Sequence, residues 1–513
     1  MAAGVRRFPT YLLSAAILLA LLNLAVFLRR ALSLLSAYDL IGGEGAEASS
    51  SFAIWRVLHH FALYTQPTRP PFQLTFYNFG FYHTYAAALA AMGIDDGKIL
   101  LVSRCITLVF AALGAITYYR LALMLTSPEA RSPRTFDRVF IVCMAITVWF
   151  GTNFIAWWPL CIRPDVGSWF LATLGLSLYV KAYRAESVGA AFVASCAFVG
   201  AWTFKQSTVL MFVGVVVHVA LVQRNRQLFF AIVAPFATLV GVSLLAGGAA
   251  YRFSLLRTPT VGFWQARQMF EISTRISLQN AFVWLGPVFT TWRWAAARRR
   301  GAAPAMPSEQ KLLLLSFAIA FALGTFALGR AGSNKNHVAE AYLLGSLMST
   351  HVVLGLVRDG NHRQLGLATL LALIPMELFP VAQLVWPNRF GVTSLLPTPE
   401  AREQRAALAR FVRAAPKPVF IEDEVFSMPW YSSLPDGAGA MVMDGLWYAL
   451  AQNAHIIEDG GVERMIREGC FKTVVFQNGT ARIRDVVPQD YSCAPIAGAA
   501  SSTGCMQSAA ALN

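Results

Sequence analysis

The chain has 513 residues, of which 56% are hydrophobic and only 13% are charged. Because soluble globular proteins carry about 25% charged residues, this composition excludes an ordinary cytosolic enzyme. Apolar runs of about 20 residues, long enough to cross a hydrocarbon core about 30 Å thick, recur from residues 11–28 onward and predict a polytopic membrane protein.

The positive charge lies in the apolar part of the chain. The formal net charge is +15; there are 31 basic and 14 acidic residues up to residue 386, but 11 basic and 13 acidic residues beyond it. Lys and Arg are typical of the cytoplasmic loops of membrane proteins, where they contact anionic lipid headgroups. The charge therefore predicts a lipid bilayer as a partner and no nucleic acid.

The same rule orients eleven predicted spans. Arg6 and Arg7 place the N-terminus in the cytoplasm, so the first span leads outward. Residues 76–92 are interrupted by Asn78 and His83, and if they crossed the membrane every later basic loop would lie outside. We therefore expect 76–92 to lie along the outer interface or to be re-entrant. The predicted spans are 11–28, 100–125, 139–158, 167–180, 190–204, 208–222, 229–245, 281–296, 312–329, 341–357 and 365–386.

A smaller domain follows the last span. Residues 418–421 and 473–476 are typical of short buried strands. Cys470, Cys493 and Cys505 allow one disulfide if that side of the membrane is oxidising. The predicted fold class is mainly α, a polytopic transmembrane helical bundle with a small C-terminal extracytoplasmic α/β domain. The predicted boundaries are 1–390 for the transmembrane domain, 29–99 for its first periplasmic loop with interfacial helices, 391–490 for the α/β domain and 491–513 for a disordered tail.

Glu44 is the predicted catalytic carboxylate. It lies between two glycines after the first span, so the backbone can turn sharply and present the side chain at the membrane edge. There it could act as a general base that removes a proton from an acceptor hydroxyl as the oxygen attacks the anomeric carbon of a sugar. The alternative is a solvated loop carboxylate. Asp39, nearer the membrane edge, and Glu47 are rival carboxylates.

Basic residues at the outer ends of later spans are the predicted ligands of a lipid-linked phosphate. Lys205 is flanked by apolar residues, and because a charge deep in a bilayer costs at least about 2.5–3.5 kcal/mol, such a residue is usually paired or functional. Arg163, Arg330 and Lys335 are expected to hold the same phosphate and to stabilise charge that develops on it. The alternatives are a snorkelling Lys205 and an Arg163 that pairs with Asp165.

The remaining polar and aromatic groups of this face are predicted to contact the substrate. The polar ones could equally cap the span 341–357, and the aromatic ones could equally anchor the interface. No cofactor is predicted, and the sequence has no metal-binding motif, although it leaves a divalent metal open. The predicted substrate-binding residues are Tyr77, Tyr82, His83, Asp165, Gln206, Asn334, Asn336, His337 and Glu340.

Several of these stretches, in this order, resemble the GT-C superfamily of polytopic glycosyltransferases, in particular its protein-mannosyltransferase and aminoarabinose-transferase-like members. The resemblance implies sugar transfer from a polyprenyl phosphate on the periplasmic face, with the acid of the first loop as base and a small periplasmic domain after the last span. Many relatives carry Asp-Glu where this chain has Gly43-Glu44, and His337 stands where an aromatic residue is common. The matching stretches are Gly43-Glu44-Gly45, Pro70-Pro71-Phe72, Asn78-Phe79-Gly80-Phe81-Tyr82, Arg104, Arg163-Pro164-Asp165, Lys205-Gln206-Ser207, and Gly332-Ser333-Asn334 with Asn336 and Glu340.

The predicted function is the transfer of a sugar from a polyprenyl-phosphate donor to a hydroxyl of a glycan, lipid or protein acceptor. The expected location is a bacterial inner membrane, with the active face and the C-terminus in the periplasm. Two other classes stay open. A transporter or flippase of a lipid-linked sugar would need no base and should show internal repeats, of which none is clear; a non-catalytic scaffold of envelope polysaccharide assembly would use the C-terminal domain for docking.

Overall fold

The chain is largely helical. The computed structural model describes residues 2–35, 46–69, 72, 74–126, 134–151, 158–258, 261, 263–301, 306–330, 333, 335–359, 363–385, 399–422, 440–443, 445–458, 460–477, 481–497 and 499–507. In its N-terminal part the helices are α1 Ala2–Leu35, α2 Ala46–Leu58, α3 Phe79–Ala91, α4 Ile99–Thr126, α5 Thr135–Phe150, α6 Pro164–Arg184, α7 Val188–Phe204, α8 Leu210–His218, α9 Arg226–Ala246, α10 Gly248–Arg252, α11 Ala266–Gln279, α12 Phe282–Arg299, α13 Ser308–Leu328, α14 Ala339–Asp359 and α15 Arg363–Val385.

Each of the eleven predicted spans falls on a helix. Among the residues that the structure describes, five segments are long and apolar enough to cross a membrane, and three shorter helices are also apolar. Large apolar side chains stay exposed on them, such as Leu245 at 82%, as expected where the surrounding medium is lipid. The fifth helix differs from prediction, because α5 ends at Phe150 rather than at 158. The five long segments are Pro9–Leu34, Asp96–Thr126, Arg226–Ala246, Ser308–Leu328 and Lys335–Arg358.

Ion pairs at the helix ends join the last turn of one helix to the first turn of another, so the paired helices run in opposite directions. At one end of the bundle Arg184, in the last turn of α6, bonds Glu309 in the first turn of α13 with Nε and Oε1 3.1 Å apart. At the same end Arg358 of α14 bonds Asp137 of α5 with Nη2 and Oδ2 2.6 Å apart. The opposite end carries the start of α6 and the end of α7. The relative directions are those expected from the basic loops.

The helix α3 is short. With 13 residues, it is about 20 Å long. Asn78 caps it and joins it to its neighbours: its side-chain amide donates to the Trp202 carbonyl over 3.0 Å and accepts from the Tyr251 hydroxyl over 2.9 Å. Its buried face packs on α2, α4 and α7. The interfacial position of residues 76–92 stays a prediction, and α1 continues to Leu35, past the predicted loop start at residue 29.

A buried ion pair joins α2 to α4. Arg104 donates from Nε and Nη2 to the two carboxylate oxygens of Glu47 over 3.0 and 3.1 Å. The amide of Ile162 donates to the same carboxylate over 3.1 Å. The side chains are 7% and 1% exposed, so neither charge is compensated by water. Glu47, a rival for the catalytic base, therefore holds the first loop against α4 and against the segment before α6.

The C-terminal part contains a five-stranded sheet of order β2-β1-β3-β5-β4. β1 pairs in parallel with β2 and β3, whereas β5 is antiparallel to both β3 and β4. The predicted domain boundary after residue 390 lies outside the described residues. The elements are α16 Pro399–Ala414, β1 Val419–Glu422, β2 Ala440–Met443, α17 Gly445–Asn453, α18 Gly461–Arg467, β3 Thr473–Gln477, α19 Ala481–Arg484, β4 Tyr491–Ile496 and β5 Ala499–Gln507.

The predicted disordered tail at 491–513 is wrong for the residues that form β4 and β5. These strands pair with each other, and β5 continues onto β3, so that ladder hydrogen bonds order a stretch whose Ala, Ser and Gly content is typical of disorder. Cys493 and Cys505 face each other across the pair and form a disulfide. Cys470, the third cysteine of this part, is free and exposed.

The C-terminal domain contacts the first loop. Glu458 accepts from the Thr68 hydroxyl over 2.6 Å and pairs with Arg69. Phe72 of the loop is 1% exposed and packs edge-on against Tyr448, with ring centroids 5.3 Å apart. The first loop and the C-terminal domain therefore lie on the same side of the helical bundle.

Substituting Arg104 with Leu should destabilise the protein strongly, because it leaves the Glu47 carboxylate buried without its cation. Breaking a buried pair in this way costs about 3–5 kcal/mol. The matched control is Lys98→Ala, which breaks an exposed pair with Asp95 and should cost at most about 1 kcal/mol. Thermal unfolding of the purified variants in one detergent measures both; equal shifts would contradict a structural role for the buried pair.

Candidate active site

The centre of the site is the carboxylate of Asp165, which joins two buried cations. Asp165 lies in the first turn of α6, and Arg163 immediately precedes this helix. Lys205 is the residue at which α7 ends. The Lys205 ammonium bonds Asp165 Oδ1, and Arg163 Nε lies 3.3 Å from Oδ2. The three residues are only 0%, 5% and 6% exposed for Asp165, Lys205 and Arg163.

The charges of this triad stabilise one another. Burial alone would raise the pKa of the Asp165 carboxyl, but the charges of Lys205 and Arg163, with hydrogen bonds to the carboxylate, lower it to about 2. Asp165 is therefore ionised at neutral pH, and one negative charge faces two positive charges. The triad keeps an excess of one positive charge. Arg163 pairs with Asp165, as in the alternative given in the sequence analysis. Lys205 pairs with the same carboxylate.

Other predicted substrate-binding residues surround the triad. Arg163 Nη2 donates to the Tyr77 hydroxyl over 3.3 Å, and the Asn336 amide donates to Asp165 Oδ1 over 3.0 Å. Gln206 donates to the Phe76 carbonyl over 2.9 Å. The Gln206 Oε1 and Asn336 Oδ1 atoms are buried, and neither meets a hydrogen-bond donor within the described parts of the chain. These two acceptors suit hydroxyl groups such as those of a sugar.

Trp158, which the sequence analysis did not select as a site residue, contacts a third cation, Lys335. The indole ring of Trp158 is buried, with the Arg163 guanidinium 5.5 Å and the Lys335 ammonium 5.7 Å from its centroid. Both distances are within the range of cation–π attraction. Trp158 had been counted as the end of a span, but α5 stops at Phe150 and Trp158 opens a short 3₁₀ turn. The ring therefore brings Lys335 next to the triad.

The segment before α14 completes this face. His337 is within electrostatic range of Lys205, Asp165, Arg163 and Arg330. The Arg330 backbone forms an isolated bridge with Trp264 at the end of α13.

Glu340 has a structural task. Its carboxylate accepts from the backbone amides of Leu210 and Met211 over 3.3 and 2.8 Å, where α8 begins. The first amides of a helix have no partner within it, so these two bonds hold α8 against α14. Its predicted contact with substrate would have to compete with these bonds.

Two predicted residues lie apart from the triad. The Tyr82 hydroxyl is buried and accepts from the Tyr77 amide over 3.2 Å, so it positions the backbone of Tyr77. His83 is exposed on α3. Three further predictions, Asp39, Glu44 and Asn334, lie outside the described residues.

Glu47, the rival carboxylate of the first loop, lies next to the triad in the chain fold. Its carboxylate accepts from the amide of Ile162, the residue next to Arg163. Among the described residues, no group of three or more His, Cys, Asp and Glu is arranged to hold a metal ion.

No protein-family model and no curated protein matches the chain. Three solved structures are similar to it in fold. ArnT from Cupriavidus metallidurans bound to undecaprenyl phosphate is 11% identical, with 95% of this chain and 98% of that chain covered and a TM-score of 0.55. The same protein in the apo state is 13% identical, with 96% and 98% covered and a TM-score of 0.55. The Archaeoglobus fulgidus oligosaccharyltransferase in the apo form is 11% identical, with 92% of this chain and 70% of that chain covered and a TM-score of 0.52.

The likeness extends over nearly the whole chain, from the apolar helices to the C-terminal sheet. At this level of identity it establishes the fold, and it agrees with the resemblance in the ordered motifs. The chain therefore has the polytopic membrane fold of these ArnT and oligosaccharyltransferase structures.

Proposed function

We propose that the protein is a glycosyltransferase that moves a sugar from a polyprenyl-phosphate donor to a hydroxyl acceptor at the periplasmic face of a bacterial inner membrane. The observation that carries this proposal is the buried cluster of Lys205, Arg163 and Asp165 at the ends of membrane helices, with Lys335 beside it. The similar ArnT structure holds undecaprenyl phosphate, a ligand of this class.

The cluster fits the phosphate of a lipid-linked donor. Because one carboxylate does not neutralise Lys205 and Arg163, the site is electropositive and attracts an anion. As the bond to the sugar breaks, negative charge grows on the leaving phosphate. Fixed cations in a site shielded from water stabilise that charge without having to reorient. Asp165 holds the two cations in place, and Tyr77 and Asn336 complete their hydrogen bonds.

Glu44 would supply the base. Its carboxylate would take the proton of the acceptor hydroxyl as that oxygen attacks the anomeric carbon, while the phosphate leaves with the electron pair of the broken bond. The unpartnered acceptors of Gln206 and Asn336 are proposed to orient sugar hydroxyls. The acceptor class is a glycan, a lipid or a protein, and the purified protein tested against a panel of polyprenyl-phosphate sugars would identify the donor.

The placement of the site in the periplasm is supported by the C-terminal domain. Disulfides persist in oxidising compartments such as the bacterial periplasm, and Cys493 and Cys505 form one. This domain contacts the first loop through Glu458 and Arg69, so both would lie in the same compartment. We propose residues 1–390 as the transmembrane domain and the part that follows as a periplasmic domain.

Replacing Glu44 with Gln should reduce transfer at least about 100-fold, because a general base contributes about 10²–10⁴ in rate. The variant keeps the size of the side chain, so donor binding and the yield of folded protein should be unchanged. Turnover of a polyprenyl-phosphate sugar by purified protein measures the effect. Asp39→Asn is the control: loss of turnover in this variant, with Glu44→Gln active, would assign the base to Asp39 and contradict the proposal.

Replacing Lys205 with Met should weaken binding of polyprenyl phosphate about tenfold or more, because a charge-assisted bond to the phosphate is lost. The double variant Lys205→Met, Asp165→Asn tests the other explanation, in which Lys205 only neutralises Asp165 and does not bind the phosphate. It keeps the triad's net charge of one and leaves no carboxylate to be neutralised. Titration with polyprenyl phosphate should show weak binding in both variants; recovery in the double variant would mean that Lys205 serves only to neutralise Asp165.

Cys493 and Cys505 should be oxidised in intact cells. Alkylation with a maleimide before reduction should modify Cys470, which is free and exposed, but neither of the paired cysteines. Alkylation after reduction should modify all three. Mass spectrometry of the C-terminal peptides gives the result, and a Cys493 that is alkylated without reduction would argue against a periplasmic C-terminal domain.

A further inference from the structure

Arg30 is a buried cation that the proposed mechanism does not use. It lies in α1, two residues beyond the predicted span 11–28 and within the apolar segment Pro9–Leu34, and it is 4% exposed. Its Nε and Nη1 atoms are buried and meet no hydrogen-bond acceptor within the described residues. Sequence reasoning passed over it because the adjacent Arg29 and Arg30 look like an ordinary interfacial pair.

The surroundings of Arg30 are apolar. Phe27 and Leu34, three residues before and four residues after it, lie on the same face of the helix and pack with Leu160. The thiol of Cys161, next to Leu160 in the chain, lies within electrostatic range of Arg30, and a thiol is not the carboxylate partner that the other buried arginines have.

Comparable arginines in this protein have carboxylate partners. Arg104 and Arg163 are each 6% exposed, against 4% for Arg30, and they pair with Glu47 and Asp165. A guanidinium buried without a counter-ion is strongly unfavourable, so such a residue usually binds a partner that comes from outside the chain. Nε and one Nη form an edge whose two parallel donors match two oxygens of a phosphate.

We propose that Arg30 binds the phosphate group of a membrane lipid at the outer end of α1. The neighbouring residues Leu28 and Leu32 are 50% and 68% exposed, so another side of α1 faces lipid at this depth. Arg30 is four residues, or about 6 Å along the helix axis, from Leu34, where the apolar segment ends. A headgroup phosphate is therefore within reach of its side chain. Cys161 is two residues before Arg163, which sets this second phosphate site close to the triad. The inference does not depend on glycosyl transfer.

The test compares Arg30→Met with the matched control Arg29→Met, since Arg29 is adjacent but exposed. Purified protein in a maltoside detergent, which carries no phosphate, is titrated with polyprenyl phosphate, with phosphatidylglycerol and with inorganic phosphate. We expect Arg30→Met to raise the Kd about tenfold or more for a phosphate-bearing lipid, and Arg29→Met to leave it unchanged. The first two titrations identify the lipid, and binding of inorganic phosphate alone would overturn the proposed lipid source.

Thermal unfolding separates binding from a structural role. Without added phosphate, Arg30→Met should be at least as stable as the unchanged protein, because an uncompensated buried charge is replaced by an apolar side chain of similar length. The added lipid should raise the unfolding temperature of the unchanged protein and of Arg29→Met, but not of Arg30→Met. Equal rises in all three proteins overturn the inference. If Arg30→Met does not fold, Arg30→Lys, which keeps the charge but loses the paired donors, must show the weaker binding.

Discussion

The ionised carboxylate of Asp165 is the constraint on which the rest of the site depends. Lys205 and Arg163 come from the end of one helix and from the segment before another, and both are buried. Without a negative charge between them, two cations in a medium of low dielectric would repel each other strongly. The Asp165 carboxylate attracts both cations, which offsets their repulsion and fixes their positions. The position of Lys205 thereby sets how α6 and α7 meet at this face.

A cluster built in this way holds its cations in a fixed arrangement and keeps a positive charge. One carboxylate balances one of the two cations, and Trp158 brings Lys335 to the same place through the face of its ring. If a phosphate binds here as proposed, the cations that face it are already in place, so their side chains need little reorganisation on binding. Arg30 differs in this respect, because within the described residues it has apolar neighbours and no acid at all.

The sequence was a good guide to whatever depends on hydropathy and charge sign. The apolar runs became helices, and Asn78, which interrupts the run 76–92, caps α3. Contacts between distant residues were harder to predict. The bond from Arg104 to Glu47 joins residues 57 apart in the chain, and the pattern gave no sign that Glu47 was already engaged. The β4–β5 pair was missed because composition suggested disorder, whereas the ladder with β3 decides its structure.

The first loop shows why the site needs both parts of the molecule. A long segment on a membrane surface loses conformational entropy when it is ordered, about 1–2 kcal/mol for each residue's backbone. Three anchors offset this cost: Glu47 on Arg104 at one end, Tyr77 on Arg163 at the other, and Phe72 in the core of the C-terminal domain between them. Tyr77 is only five residues from Phe72, so its hydroxyl reaches Arg163 from a chain that the C-terminal domain also holds. The catalytic geometry is therefore fixed jointly by the helical bundle and by the domain that follows it.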